Sequence, residues 1–185
     1  MKDYDTLEDN VRNTFMSVVW THKIQEKQAD IYSSQYKILE TIRLFLSAFT
    51  SVGLVALLFS NQTIIKIISA TISFGLTFLN AYFKSFNIHS QINAHKSTAN
   101  KLLSIRDQLR LLLLNIIVEN KPAESIIQRY EVLVDELNEI YMDAPQTTDA
   151  AVDEATRALN VKKDNNFTDE EIDLNLPKSL RRSDF

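Results

Sequence analysis

The sequence predicts an all-α protein: a two-span transmembrane helical hairpin, extended by long cytosolic helices that form an antiparallel coiled-coil-like bundle. Three observations lead there. Residues 44–60 (LFLSAFTSVGLVALLFS) carry no charge, and residues 63–83 (TIIKIISATISFGLTFLNAYF) carry one, Lys66. As helices these runs reach roughly 26 and 32 Å, close to the ~30 Å hydrocarbon thickness of a bilayer. Beyond them, apolar residues recur at alternating spacings of four and three, the rhythm of a coiled-coil seam.

The hairpin (44–83, spans 44–60 and 63–83) turns at Ser60-Asn61-Gln62-Thr63. A hairpin buried in a soluble bundle would show a charged face, and residues 44–60 show none. Lys37 and Arg43 precede the first span, Lys84 follows the second, and the turn has no Lys or Arg of its own. The positive-inside rule then predicts both termini in the cytoplasm, which for a bacterium means the inner membrane. The first ten residues, MKDYDTLEDN, are acidic, so no cleaved signal peptide is expected.

The N-terminal helix (1–43) carries Leu7, Val11, Phe15 and Val18, then more weakly Ile31, Ile38 and Ile42, and should run straight into the first span. The cytosolic bundle (84–142) begins with Ile88, Ile92, His95, Ala99, Leu102, Arg106, Leu109, Leu113 and Ile116, antiparallel to the first helix. The run Leu111–Leu114 with Ile116–Val118 is apolar on more than one face and needs a second partner. The helix opened by Pro122 supplies one, with Ile126, Ile127, Tyr130, Leu133, Val134, Leu137, Ile140 and Tyr141. Residues 143–185 hold 10 acids against 6 bases, the whole net charge of −4. This acidic tail is expected to be partly disordered or docked on a partner, outside the core, with a short helix over Thr148–Asn160 and a capping box at Thr168-x-x-Glu171.

Composition excludes several chemistries. There is no cysteine, hence no disulfide, thiol nucleophile or thiolate metal site. Both glycines, Gly53 and Gly75, lie in the hairpin, so no phosphate loop or dinucleotide fingerprint exists. His89 and His95 do not share a helix face, and His95 reads as a polar register residue of the seam. No catalytic, cofactor or metal site is predicted, and no basic surface for direct nucleic-acid binding.

The hairpin carries the two candidate sites. Folding about the turn sets Gly53 level with Ala70 and Ala48 level with Gly75, small residues that allow close helix packing. On the second span Lys66, Ser69, Ser73, Thr77, Asn80 and Lys84 fall within about 80° of one another. This polar stripe either packs between helices or faces water, and a single hairpin cannot enclose water.

The layout resembles a known family. A cytosolic helix with Tyr32 and Tyr36, a short-turn hairpin, then Ala81-Tyr82-Phe83, Ala94-His95 and Ala99-Asn100-Lys101-Leu102 resemble the SLATT proteins of bacterial conflict systems, over roughly residues 18–118. The resemblance implies a membrane effector that homo-oligomerises and perforates the inner membrane in antiviral defence. It also implies a nearby nucleotide-signal synthase, nucleotide sensor or reverse transcriptase, and no catalytic motif. The alternative is a non-conducting membrane anchor or scaffold for a defence enzyme.

Overall fold

The computed structural model describes residues 2–59, 62–118, 121–164, 167–177 and 181–182. Among these every regular element is helical. The first, α1 (Lys2–Phe59), is one unbroken helix that joins the N-terminal segment to the first span, as the absence of Pro and Gly up to Gly53 allows. Ser60 and Asn61 of the expected turn lie outside the described residues. Gln62 is extended and α2 (Thr63–Phe86) starts at Thr63.

The second span does not continue straight into the bundle. Asn87 sits in the left-handed region (φ 41°) and donates its N–H to the Phe83 carbonyl at 3.1 Å, ending α2. Asn tolerates this conformation better than most side chains. The Phe86 carbonyl left over is taken by Gln91 Nε2 at 2.9 Å. A new helix, α3 (Ile88–Val118), then runs back along α1.

The core of the bundle lies between α1, α3 and α4 (Ala123–Asp143). Leu7, Val11 and Val18 meet Leu102, Ile105, Leu109, Leu112 and Ile116, closed by Ile126, Leu133 and Leu137. Two residues of the expected seam are displaced: Ile105 and Leu112 are buried, where the alternation pointed to Arg106 and Leu113, both half-buried. The reason is the second neighbour. Rotating α3 by part of a turn lets one face serve both α1 and α4. On α1, Ile38 and Ile42 are exposed. The residues that face α3 there include Gln25 and Tyr32, which continue the heptads of Val11 and Val18. In α4, Pro122 is the N-cap and not the first helical residue, and Ile127 is 41 % exposed. Of the α3 run expected to be covered by α4, Leu111, Leu114, Ile117 and Val118 remain exposed.

The tail holds the short helix expected over Thr148–Asn160, but it packs on the core and not outside it. Residues Asp149–Thr156 form α5, which packs on α1 and continues into a π-helical turn, Arg157–Val161. Ala151, Ala155 and Ala158 are 0–2 % exposed, so this part of the tail builds core. Small side chains let it lie close to α1, where polar groups anchor it. Gln28 Oε1 accepts from Thr148 N and Oγ1, both at 2.8 Å, and Gln25 Nε2 donates to Pro145 O at 3.1 Å. The capping box is present: Glu171 N donates to Thr168 Oγ1 and Thr168 N to Glu171 Oε2, opening α6 (Asp169–Asn175). Lys178–Leu180 and Ser183–Phe185 of the tail, with Asn165 and Asn166 of the expected linker, lie outside the described residues.

Candidate functional site in the hairpin and its seam

The hairpin has no core of its own. No residue of α2 is buried, and Phe45, Phe49, Val52, Ile64, Ile68 and Phe74 are each 53–75 % exposed. Leaving so many large apolar side chains in water would forfeit roughly 1.5–3 kcal/mol each, so the surface they make is one for lipid. Two helices are long and apolar enough to cross a membrane.

A ring of aromatic groups marks where the hairpin meets the bundle. Tyr36 packs edge-on to Phe83 at 5.4 Å and lies 6.1 Å from His89, while Tyr82 packs on Phe86 at 4.5 Å. Arg43 sits 5.3 Å from the Phe83 ring centroid and bonds Glu40 at 2.8 Å. Aromatic rings and a snorkelling cation are the groups that suit the headgroup region, apolar at one end and wet at the other.

Against this level the polar stripe can be placed in depth. Asn80 lies one turn inside Phe83, and Ser73 lies ten residues inside, about 15 Å, near mid-bilayer. The hairpin divides the stripe. Ser69 is half-buried and faces Gly53, where an added Cβ would come within 2.6 Å of its Oγ. Lys66, Ser73, Thr77, Asn80 and Lys84, within about 80° of Ser69 around the helix, are exposed and flank that contact. Thr77 returns its hydroxyl to Ser73 O at 2.9 Å, which satisfies the donor within the helix. The small residues pair otherwise than by depth alone: Gly53 lies against Ser69, a Cβ added at Gly75 would come 3.7 Å from Leu46 Cδ1, and Ala48 and Ala70 are exposed. Depth matching ignored rotation, and the 100° step from Ala70 to Ser69 decides which of them faces α1.

Below the aromatic ring the seam is polar. His95 is 2 % exposed, with Nδ1 2.6 Å from Gln25 Oε1 and its ring 5.5 Å from that of Tyr32. Burial holds its pKa below the ordinary histidine value. Next along α1, His22 is lowered too, by burial first, with Glu26 opposing and Arg106 and Lys23 adding to it. Lys23, itself buried, is flanked by Glu26 at 3.0 Å and Asp164 at 3.8 Å. His22 Nδ1 and Gln28 Nε2 are buried without a partner among the described residues. No group of three or more His, Cys, Asp or Glu among the described residues is placed to hold a metal.

Sequence reasoning missed this network because its α1 half is Gln25 and Gln28, residues that a search for apolar periodicity passes over. The signal was present as a heptad step from Val11 and Val18 to Gln25 and Tyr32. It also missed the contacts made by the residues of the family resemblance: Tyr32 meets His95 and Tyr36 meets Phe83. They are the membrane-proximal layers of the α1–α3 and α1–α2 seam.

No curated protein and no solved structure matches the chain. A family model does, described as the SMODS and SLOG-associating 2TM effector domain family 4, over residues 7–171. The match reaches well past the span of the resemblance, into the tail that had been set outside it. Because it takes in the exposed apolar hairpin, both sides of the seam below it and the docked α5, the chain belongs to the SMODS and SLOG-associating two-transmembrane effectors, the SLATT proteins, in their fourth family.

Proposed function

We propose that this membrane effector assembles into homo-oligomers in the inner membrane of a bacterium and, when activated in antiviral defence, opens a water-filled path. Both termini lie in the cytoplasm. The observation that carries the reading is the polar flank of α2, where Ser73, Asn80 and the two lysines are exposed beside the contact with α1. Polar side chains facing hydrocarbon are costly, and in membranes they face protein or water. Several hairpins around an axis supply both. Lys66 and Lys84 then form positive rings at the two mouths, favouring anions. The family's association with SMODS and SLOG proteins supports a signal arriving from such a partner.

The test is ion flux from vesicles reconstituted with the full chain. Replacing Ser73 and Thr77 with Leu keeps insertion and assembly but removes flux, and Lys66→Glu shifts selectivity towards cations. Leu variants that conduct like the parent would reduce the stripe to packing and favour a non-conducting anchor or scaffold.

A further inference from the structure

A cleft of about 880 Å³ opens on the cytosolic bundle where α1, α3 and the segment after the π-helical turn meet. Its size is that of a small-ligand site. By helix rise it lies about 35 Å from Arg43, so it is no part of the hairpin. Its walls combine Trp20 and Phe167 with Arg106, Arg110 and Lys163.

The charges there are unequally occupied. Arg106 is held by Asp107 at 2.8 Å, and Asp164, the acid of the cleft, is drawn towards Lys23. Arg110 and Lys163 have neither hydrogen bond nor ion pair among the described residues. The rim is also strained. Lys163 has φ 54°, a left-handed conformation that costs a non-glycine residue about 1–2 kcal/mol, and it follows a π-helical turn. Both features concentrate at functional sites.

We propose that this cleft binds a small planar aromatic anion, its ring on Trp20 and its charge on Arg110 and Lys163. Arginine offers a fork of donors to a phosphate or carboxylate, and rings stack on aromatic walls. A ligand there touches α1, α3 and the tail at once, so its binding holds the tail to the bundle. This proposal is independent of whether the hairpin conducts.

Trp20 is the chain's one tryptophan and reports from within the cleft. The full chain in nanodiscs is titrated with 4-nitrophenyl phosphate while Trp20 fluorescence is followed. Saturable quenching is expected, about tenfold or more weaker in the double variant Arg110→Gln, Lys163→Gln, as loss of one charged hydrogen bond implies. Inorganic phosphate and neutral 4-nitrobenzyl alcohol each bind more weakly than the parent probe. Lys163→Gly relieves the strained backbone while removing the charge, and Arg110→Lys restores part of the affinity, which separates recognition from misfolding. Equal quenching by the neutral alcohol, unchanged affinity in the double variant, or quenching that follows protein concentration alone would overturn the proposal. The last result would mean that a second copy fills the cleft.

Discussion

Gly53 packs tightly against Ser69 of the second span, and replacing it with Ala isolates that contact. The added Cβ would lie 2.6 Å from Ser69 Oγ and 3.3 Å from Ser69 Cβ. The hydroxyl can rotate aside, but the Cβ contact moves only if the helices part. Overpacking of this kind costs about 1–3 kcal/mol. Ala also gains up to about 1 kcal/mol over Gly in helix propensity. Gly75→Ala is the control that cancels this gain, because its Cβ would meet only Leu46 Cδ1 at an ordinary 3.7 Å. The two variants should therefore differ by about 1–3 kcal/mol, Gly53→Ala being the less stable. Ser69→Ala should rescue Gly53→Ala in part, since the 3.3 Å contact persists, and Ser69→Gly should rescue it fully. Reversible unfolding in mixed micelles reads all five chains. Equal stability of the two alanine variants, or no rescue by Ser69→Gly, would refute this account of the packing.

Three further outcomes follow from the bundle. Leu112→Ala should cost about 2–5 kcal/mol in thermal unfolding and Leu113→Ala clearly less, because Leu112 is 4 % exposed and Leu113 only partly covered. Both buried histidines have lowered pKa values, so the unfolded chain takes up protons first as the pH falls; stability is full above about pH 6.5 and drops below it by up to about 1.4 kcal/mol per pH unit per histidine. A pH series on His22→Gln and His95→Gln should show the slope flatten in each. Truncation after Asp143 removes the buried Ala151, Ala155 and Ala158 and the partners of Gln25 and Gln28, so it should expose α1 to limited proteolysis near those glutamines, whereas intact protection would show the tail to be dispensable.

The hairpin, the continuous first helix and the antiparallel pairing were legible because each rests on a long apolar pattern. Leu102, Leu109 and Ile116 kept their places for that reason. What escaped was set by rotation and by polar partners. Ile105 replaces Arg106 because α3 answers to α4 as well as α1. Ser69 replaces Ala70 opposite Gly53 because depth along a span says nothing about azimuth. The tail hid its docking in three alanines, which bury little area each and give no strong hydrophobic signal. Of the stripe, the spacing was legible, but not its division into one half-buried residue at the contact with α1 and the exposed ones flanking it.

The unbroken course of α1 has a mechanical consequence. At 58 residues it is a rod of about 87 Å, with hydrogen bonds running without a gap from the cytosolic end to the bilayer. Leu7 of the bundle and Gly53 of the first span thus lie on one continuous helix. The return path has no such stiffness, because Asn87 interrupts the ladder between α2 and α3 at the level of the aromatic ring. The first span thus shares its helix with the bundle, and the second joins the bundle through the break at Asn87.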